Sequence, residues 1–137
     1  MVKRIRVTCA IILEEGKVLS AQRSEVMALP LKWEFPGGKI EENESPEECL
    51  IREIKEELNL EIEIIERFQS NIHSYSPEKE IELIPFLCRS LGGNLVLKEH
   101  LNVVWEDVGN LKLLDWAEAD IPILNFFIEW FYHKGLC

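Results

Sequence analysis

The most constraining feature of this sequence is a helix whose start and end can both be read between residues 45 and 59. Ser45 can cap the N-terminus, Pro46 suits the first helical position, and Glu48 can complete a capping box with Ser45. We expect the helix to run to Leu58, because Asn59 tolerates the left-handed conformation that ends helices. A Pro-Gly-Gly stretch precedes it, so a loop leads into this helix.

The predicted helix has two faces of opposite character. One is aliphatic and can be buried against a sheet; it consists of Leu50, Ile54 and Leu58. The other, called the acidic face below, consists of Glu53, Glu56 and Glu57, which are three and four residues apart. Like charges at this spacing repel each other, so the acidic face is either simply solvated or recruits a cation. Clustered carboxylates beside a glycine loop favour a hard cation such as Mg²⁺ or Mn²⁺.

The rest of the chain predicts a mixed sheet with helices on its faces. The predicted strands are Arg4–Leu13, Val18–Gln22, Leu60–Phe68, Glu80–Arg89 and Val103–Trp105, with Leu95–Leu97 starting a return after a turn at 92–94. The stretch Glu34–Gly38 is expected to be irregular, because one proline and two glycines interrupt it. The order strands, helix, strands, helix is typical of a sheet covered by helices.

A second helix is predicted after Asp120, which can act as its N-cap, with Pro122 in the first turn. Its apolar stripe has helical spacing and consists of Leu124, Phe127, Ile128 and Phe131. We expect this stripe to pack in the core; a dimer surface is the alternative. The protein is therefore predicted to be a monomer or a homodimer.

Length and composition predict one domain over residues 1–137. Hydrophobic residues make up 47% and charged residues 29% of the chain, which is typical of a globular protein. The net charge of −10 argues against a nucleic-acid duplex as partner. The four cysteines, Cys9, Cys49, Cys88 and Cys137, are too widely spaced for a zinc cluster and fit a reducing cytoplasm. The longest apolar stretch, Ile121–Tyr132, is too short to span a membrane.

Residues 38–60 resemble the signature of the Nudix hydrolase family, G-x5-E-x7-R-E-U-x-E-E-x-G-U, where U is a bulky aliphatic residue. The matching positions are Gly38, Glu44, Arg52, Glu53, Ile54, Glu56, Glu57 and Leu60. Asn59 stands where the family has glycine, and we expect little effect from this exchange. Flanking segments, Lys32–Glu41 and Ala119–Leu124, are similar to the MutT-like and CTP pyrophosphohydrolase-like branch. The resemblance implies an α/β fold, the Nudix fold, which is an α/β/α sandwich around a mixed β-sheet.

The resemblance also implies a metal site and a catalytic set. The implied metal ligands are the Gly37 carbonyl and the carboxylates of Glu53, Glu56, Glu57 and Glu99, holding Mg²⁺ or Mn²⁺. Arg52 and Glu44 are expected to orient the ligand glutamates. Glu99 is a candidate general base, although a loop glutamate can equally be solvated. His100 beside it is expected to be a surface residue.

The implied substrate is a nucleoside triphosphate. Candidate phosphate contacts are Arg23 and Lys39, with Lys79 as a weaker one; candidate nucleoside contacts are Glu34, Phe35, Tyr75 and Asp120. An ionised Asp120 would suit the exocyclic amino group of cytosine, and a protonated one could also donate to an oxo group.

The resemblance implies hydrolysis of the triphosphate to a nucleoside monophosphate and pyrophosphate, which would remove oxidised or modified nucleotides. An oxidised purine such as 8-oxo-dGTP and CTP or a 5-substituted dCTP are the competing substrates. Three alternatives stay open: hydrolysis of another nucleoside diphosphate derivative, a non-catalytic Nudix binding module, and an acidic partner-binding protein.

Overall fold

The computed structural model describes residues 2–134. The strands are β1 (Lys3–Glu14), β2 (Lys17–Gln22), β3 (Trp33–Glu34), β4 (Gly37–Lys39), β5 (Glu61–Arg67), β6 (Asn71–Ser76), β7 (Lys79–Gly92) and β8 (Asn102–Asp107). The helices are α1 (Pro46–Leu58) and α2 (Ile121–His133), with short 3₁₀ helices at Val108–Leu113 and Glu118–Asp120. Cys9, Cys49 and Cys88 are buried free thiols, and Cys137 lies outside the described residues. Neither α1 nor α2 is long and apolar enough to cross a membrane, nor is any other helix of residues 2–134.

The strands form one mixed sheet around β1 and β7. These two strands run parallel and pair continuously from Lys3 opposite Lys79 to Ile12 opposite Cys88. The other strand pairings are antiparallel: β2 and β4 pair with β1, β3 and β8 with β2, and β5 and β6 with β7. The predicted mixed sheet is therefore confirmed.

Alternate residues of the central strands supply two cores, one on each face of the sheet. Ala10 and Ile12 of β1 lie in the core beneath α1, whose aliphatic face is fully buried. Cys9 and Ile11 face the opposite core, to which α2 contributes Ile123, Leu124, Phe127 and Phe131. The α/β/α sandwich is thus confirmed, and the apolar stripe of α2 packs in the core as expected.

Helix α1 begins and ends as its sequence predicts. The Ser45 hydroxyl accepts a hydrogen bond from the Glu48 amide at 3.1 Å, and the Glu48 carboxylate accepts one from the Ser45 amide at 2.9 Å. Asn59 ends the helix at φ 57° and ψ 35°, in the left-handed region. Its side-chain amide also donates to the Asn94 carbonyl at 3.0 Å. Asparagine therefore fills the conformational role of the family's glycine.

The stretch Glu34–Gly38 is more regular than expected. Glu34 ends β3, and Gly37 and Gly38 belong to β4, which pairs with residues 7–9 of β1. A side chain on Gly37 would overlap the backbone of Thr8 and Cys9. Glycine here permits a close strand pairing instead of preventing one, so the prediction of an irregular segment was wrong for Gly37 and Gly38, while Phe35 and Pro36 are irregular as expected.

Two further segments differ from the sequence prediction. Leu95–Leu97 is not a strand; it is an exposed irregular segment, tied to α1 by a hydrogen bond from the Val96 amide to the Leu58 carbonyl at 3.0 Å. Strand β6 was not predicted, because Ile72 and Tyr75 do not alternate with the period of a strand.

Candidate active site

The acidic face of α1 is organised by a single guanidinium group. Arg52 donates two hydrogen bonds to Glu44, at 2.6 and 2.9 Å, so this pair is bidentate. The same side chain donates to Glu53 at 2.9 Å and to Glu56 at 3.2 Å. Arg52 thus connects the loop before α1 to two of the three glutamates of the acidic face, which is the arrangement expected for an orienting residue.

The ion pair has a marked effect on Glu44. Hydrogen bonding from Arg52 lowers the pKa of Glu44 to about 2, assisted by the Glu41 amide, which donates to the Glu44 carboxylate at 3.0 Å. The same contacts raise the pKa of Arg52 above its ordinary value. Both groups are therefore fully charged at neutral pH, and the pair stays formed.

The segment 35–39, which ends in strand β4 and is called the glycine loop below, passes directly over the acidic face. A side chain on Gly38 would overlap the carboxylate of Glu53, so glycine leaves room for this carboxylate. The loop is held from below, where Thr8 donates to the Gly38 carbonyl at 3.3 Å and the Cys49 thiol donates to the Lys39 carbonyl at 3.3 Å. Gly38 and the Glu53 carboxylate therefore belong to one compact region, and Gly37 directly precedes it in the chain.

Glu57 carries the clearest sign of a missing positive charge. Its Oε2 atom is buried and has no hydrogen-bond partner among residues 2–134. Burial, followed by the negative charge of Glu53, raises the pKa of Glu57 well above its usual range, with smaller contributions from Glu99 and Glu34. A buried carboxylate oxygen without a donor, surrounded by other carboxylates, fits a divalent cation.

The ligand set is not closed in this structure. Within residues 2–134, no three acidic, histidine or cysteine side chains converge on one point as metal ligands. Glu53 is turned toward Arg52, the Glu56 side chain is 60% exposed, and Glu99 is exposed in its loop. The residues fit a hard cation by type and position, and their carboxylates would have to turn inward to bind it.

A second charged cluster lies beside the acidic face. Glu34 accepts a hydrogen bond from Arg23 at 2.7 Å through Oε1, and its Oε2 lies 2.8 Å from Nε2 of His100. Arg23 also donates to the Ala28 carbonyl at 2.5 Å. His100 is buried, so the expectation that it is a surface residue was wrong. The sequence did not reveal this role, because the partner of His100, Glu34, is distant in the chain. The one sequence feature that pointed to His100 was its position next to the candidate residue Glu99.

Asp120 is buried at the start of α2 and points toward the glycine loop. Its Oδ2 accepts a hydrogen bond from the Phe35 amide at 2.9 Å, and it makes no side-chain capping bond to α2. Asp120 is thus the N-cap residue of α2, as expected, but its side chain binds the Phe35 amide instead of capping the helix. Burial raises the pKa of Asp120 to about 8, and the Phe35 amide partly opposes this shift. At neutral pH the group is largely a neutral carboxylic acid.

The remaining candidate substrate contacts differ in how accessible they are to a ligand. Phe35 is buried and its ring packs on Trp116 with centroids 4.7 Å apart, which leaves little of the ring for a ligand. Tyr75 is half-exposed. Partial burial raises the pKa of Tyr75, and the nearby negative charge of Asp120 adds to this shift, so the ring lies near this cluster. Lys39 and Lys79 are exposed, and no hydrogen bond or ion pair within residues 2–134 joins their ammonium groups to the site.

An α/β/α sandwich whose acidic helix follows a glycine loop is the architecture of a Nudix-type protein. Similarity to known proteins identifies the family. The NUDIX domain model matches residues 2–127. The chain is 36% identical to CTP pyrophosphohydrolase of Escherichia coli over 126 residues, covering 92% of this chain and 93% of the relative. It is 42% identical to an 8-oxo-dGTP diphosphatase of Haemophilus influenzae over 127 residues, covering 90% of each. The chain belongs to the Nudix hydrolase family.

A solved structure agrees with this assignment. The MutT protein of Methanosarcina mazei superposes with a TM-score of 0.81 at 25% identity, covering 98% of this chain and 96% of that one. The fold is therefore the Nudix fold. Relatives of this chain are nucleotide diphosphatases by name.

Proposed function

We propose that this protein is a divalent-metal-dependent nucleoside triphosphate pyrophosphohydrolase. Water attacks the phosphate chain, and the products are a nucleoside monophosphate and pyrophosphate. The observation that carries this proposal is the buried, unpartnered Oε2 of Glu57 within the acidic face beneath the glycine loop. Its family membership and the names of its relatives support the same reaction class.

The proposed ligands are the Gly37 carbonyl and the carboxylates of Glu53, Glu56, Glu57 and Glu99, for Mg²⁺ or Mn²⁺. When bound, the cation neutralises phosphate charge and lowers the pKa of a water molecule. Arg52 and Glu44 keep the acidic face oriented through their bidentate pair. Glu99 is the proposed general base, because its exposed loop position allows it to accept a proton from water.

The proposed substrate contacts divide between the phosphates and the base. Arg23 and Lys39 bind phosphate oxygens, with Lys79 as a weaker candidate. Asp120 reads the base, and Tyr75 stacks on the nucleoside. Glu34 and Phe35 frame this pocket, since Glu34 holds Arg23 and the Phe35 amide holds Asp120.

We propose cytosine nucleotides, CTP or a 5-substituted dCTP, as the first substrate class. The base presents an amino group, which needs an acceptor, and a ring nitrogen and carbonyl, which need a donor. A carboxyl group whose pKa is about 8 supplies both an acceptor and an O–H donor at neutral pH. The relative named CTP pyrophosphohydrolase supports this choice.

An oxidised purine such as 8-oxo-dGTP is the second candidate. It is favoured by the same neutral Asp120, which can donate to an oxo group, and by relatives named 8-oxo-dGTP diphosphatase. Either substrate gives the protein a role in removing modified nucleotides from the nucleotide pool.

The test is pyrophosphate release with Mg²⁺ from CTP, dCTP, 5-methyl-dCTP, 5-hydroxy-dCTP, dGTP and 8-oxo-dGTP. We expect turnover that EDTA abolishes and that is fastest with a cytosine nucleotide. Fastest turnover of 8-oxo-dGTP would select the second candidate. No release from any of the six, by a folded protein that Mg²⁺ stabilises, would contradict the proposal and point to another nucleoside diphosphate derivative or a binding module.

A further inference from the structure

His100 is the single buried residue of an otherwise exposed segment. Residues 91–99 and 101–102 are exposed, whereas the His100 side chain is only 2% exposed. The exposed neighbours include five aliphatic residues that would be cheaper to bury, namely Leu91, Leu95, Val96, Leu97 and Leu101. This reversal of the usual preference indicates that a polar contact, and not apolar packing, holds His100 inside.

That polar contact is with Glu34. Nε2 of His100 lies 2.8 Å from Oε2 of Glu34, while the other oxygen of this carboxylate accepts the bond from Arg23. Both oxygens of Glu34 are therefore held, which fixes the plane of the carboxylate. Nδ1 of His100 is buried without a partner among residues 2–134, so the contact with Glu34 is the one that gives this imidazole its direction.

Glu34 lies between the two halves of the site. Its negative charge acts on Glu57 at the acidic face and on Asp120 at the base pocket. It also directs Arg23, whose Nη1 it binds and whose Nε is bound by the loop carbonyl of Ala28. If the Glu34 carboxylate rotated, the Arg23 guanidinium would lose its hydrogen bond to Oε1 and change its position.

We infer that His100 is a positioning residue for triphosphate binding, which locks the Glu34 carboxylate and through it the Arg23 guanidinium. The inference rests on the proposed function and adds a residue to it. The inference also states which residue transmits the effect of His100: this residue is Glu34, and not the sequence neighbour Glu99. The loop itself is fastened separately, by the Leu101 amide donating to the Gln22 carbonyl at 2.9 Å.

The first test is steady-state kinetics of His100→Ala and His100→Gln on the best substrate of the wild-type enzyme. We expect His100→Ala to raise KM by about tenfold or more, the effect of losing a hydrogen bond to a charged group, with kcat within about twofold. His100→Gln should restore most of the affinity, because its terminal amide can donate to Glu34. His133→Ala is the matched control, since His133 is exposed at the end of α2.

The second test asks through which residue His100 acts. In a Glu34→Gln background, His100→Ala should add little to KM. In a Glu99→Gln background, where turnover is expected to be low, its full effect should remain on the dissociation constant of the nucleotide. An unchanged KM in His100→Ala, or an effect that disappears in the Glu99→Gln background, overturns the inference. If His100→Ala does not fold, His100→Asn takes its place, since its amide is too short to reach Glu34.

The two proposals fail in different ways. An active wild-type enzyme whose KM does not respond to His100→Ala overturns the positioning role and leaves the proposed function standing. A wild-type enzyme that is inactive on all six nucleotides overturns both. A lower melting temperature for His100→Ala with unchanged kinetics well below that temperature would show a purely structural role and would also contradict the inference.

Discussion

Two carboxyl groups of the Nudix signature are shifted in opposite directions by their surroundings. Arg52 lowers the pKa of Glu44, while burial and the charge of Glu53 raise the pKa of Glu57. Neighbouring acids with diverging pKa values are typical of functional sites. The physical difference is that Glu44 is paired with the Arg52 guanidinium, whereas Oε2 of Glu57 has no positively charged partner among residues 2–134.

We expect Glu57→Gln to lower metal-dependent turnover by about a hundredfold or more while the protein stays folded. The amide cannot supply the negative charge that a divalent cation requires. Without metal, the pKa of Glu57 is raised to about 9, so a neutral amide replaces a mainly neutral acid and stability in EDTA should not fall. Turnover with Mg²⁺ and thermal melting in EDTA are the two measurements. Glu47→Gln, on the same helix but off the acidic face, is the control. Undiminished activity in Glu57→Gln would remove the acidic face from the mechanism.

Asp120→Asn should shift base preference away from cytosine. Asparagine keeps an acceptor for the Phe35 amide but has no carboxyl group that can change between donor and acceptor. The measurement is the ratio of kcat/KM for CTP to kcat/KM for 8-oxo-dGTP, with the exposed neighbour Glu118→Gln as control. An unchanged substrate ranking would reduce Asp120 to a structural partner of Phe35.

At the scale of elements, the sequence predicted best where local rules act. The caps of α1, its two faces and the stripe of α2 depend on residues a few positions apart, and all are confirmed. Strand β4 was not predicted, because the room that Gly37 leaves is visible only once β1 lies beneath it. Strand β3 was not predicted because two residues are too few to show a strand pattern. His100 was misplaced for the same reason, since its partner Glu34 is remote in sequence.

The end of α1 offers a test of one local rule. Asn59→Ala should lower the free energy of unfolding by about 1–2 kcal/mol, because alanine is strained in the left-handed region that Asn59 occupies. Asn59→Gly should be closer to the wild type, since glycine has no such strain and loses only the bond to the Asn94 carbonyl. Urea unfolding of the three proteins decides this. Equal destabilisation by alanine and glycine would show that the side-chain bond, and not the backbone conformation, is what Asn59 contributes.

For the whole molecule, folding and proton binding are linked through the site. Most of the net charge of −10 is carried by surface groups, but Asp120 is buried and binds its proton more tightly in the folded state than in the unfolded chain. Such a group contributes stability that is complete below its unfolded pKa, near 4. This contribution is lost as the pH rises through the folded pKa of about 8.

We therefore expect the metal-free protein to lose stability as the pH rises from about 4 to about 8, and part of this loss to disappear in Asp120→Asn. The measurement is the melting temperature in EDTA across this range, for wild type and variant at constant ionic strength. The difference between the two curves isolates Asp120, because the other groups titrate in both proteins. Parallel curves would contradict the raised pKa of Asp120.

The parallel pairing of β1 with β7 has a consequence for protein synthesis. Lys3 finds its partner in Lys79, so the N-terminal strand leaves the ribosome long before the strand that will cover that edge. In the meantime the nascent chain exposes a β-branched apolar edge, which is a hazard for aggregation. The crossover between these strands contains α1, so the acidic helix is translated while the sheet beneath it is still incomplete. The candidate site should therefore be complete only late in synthesis, once β7 has joined β1 and the later residues Glu99, His100 and Asp120 have also emerged.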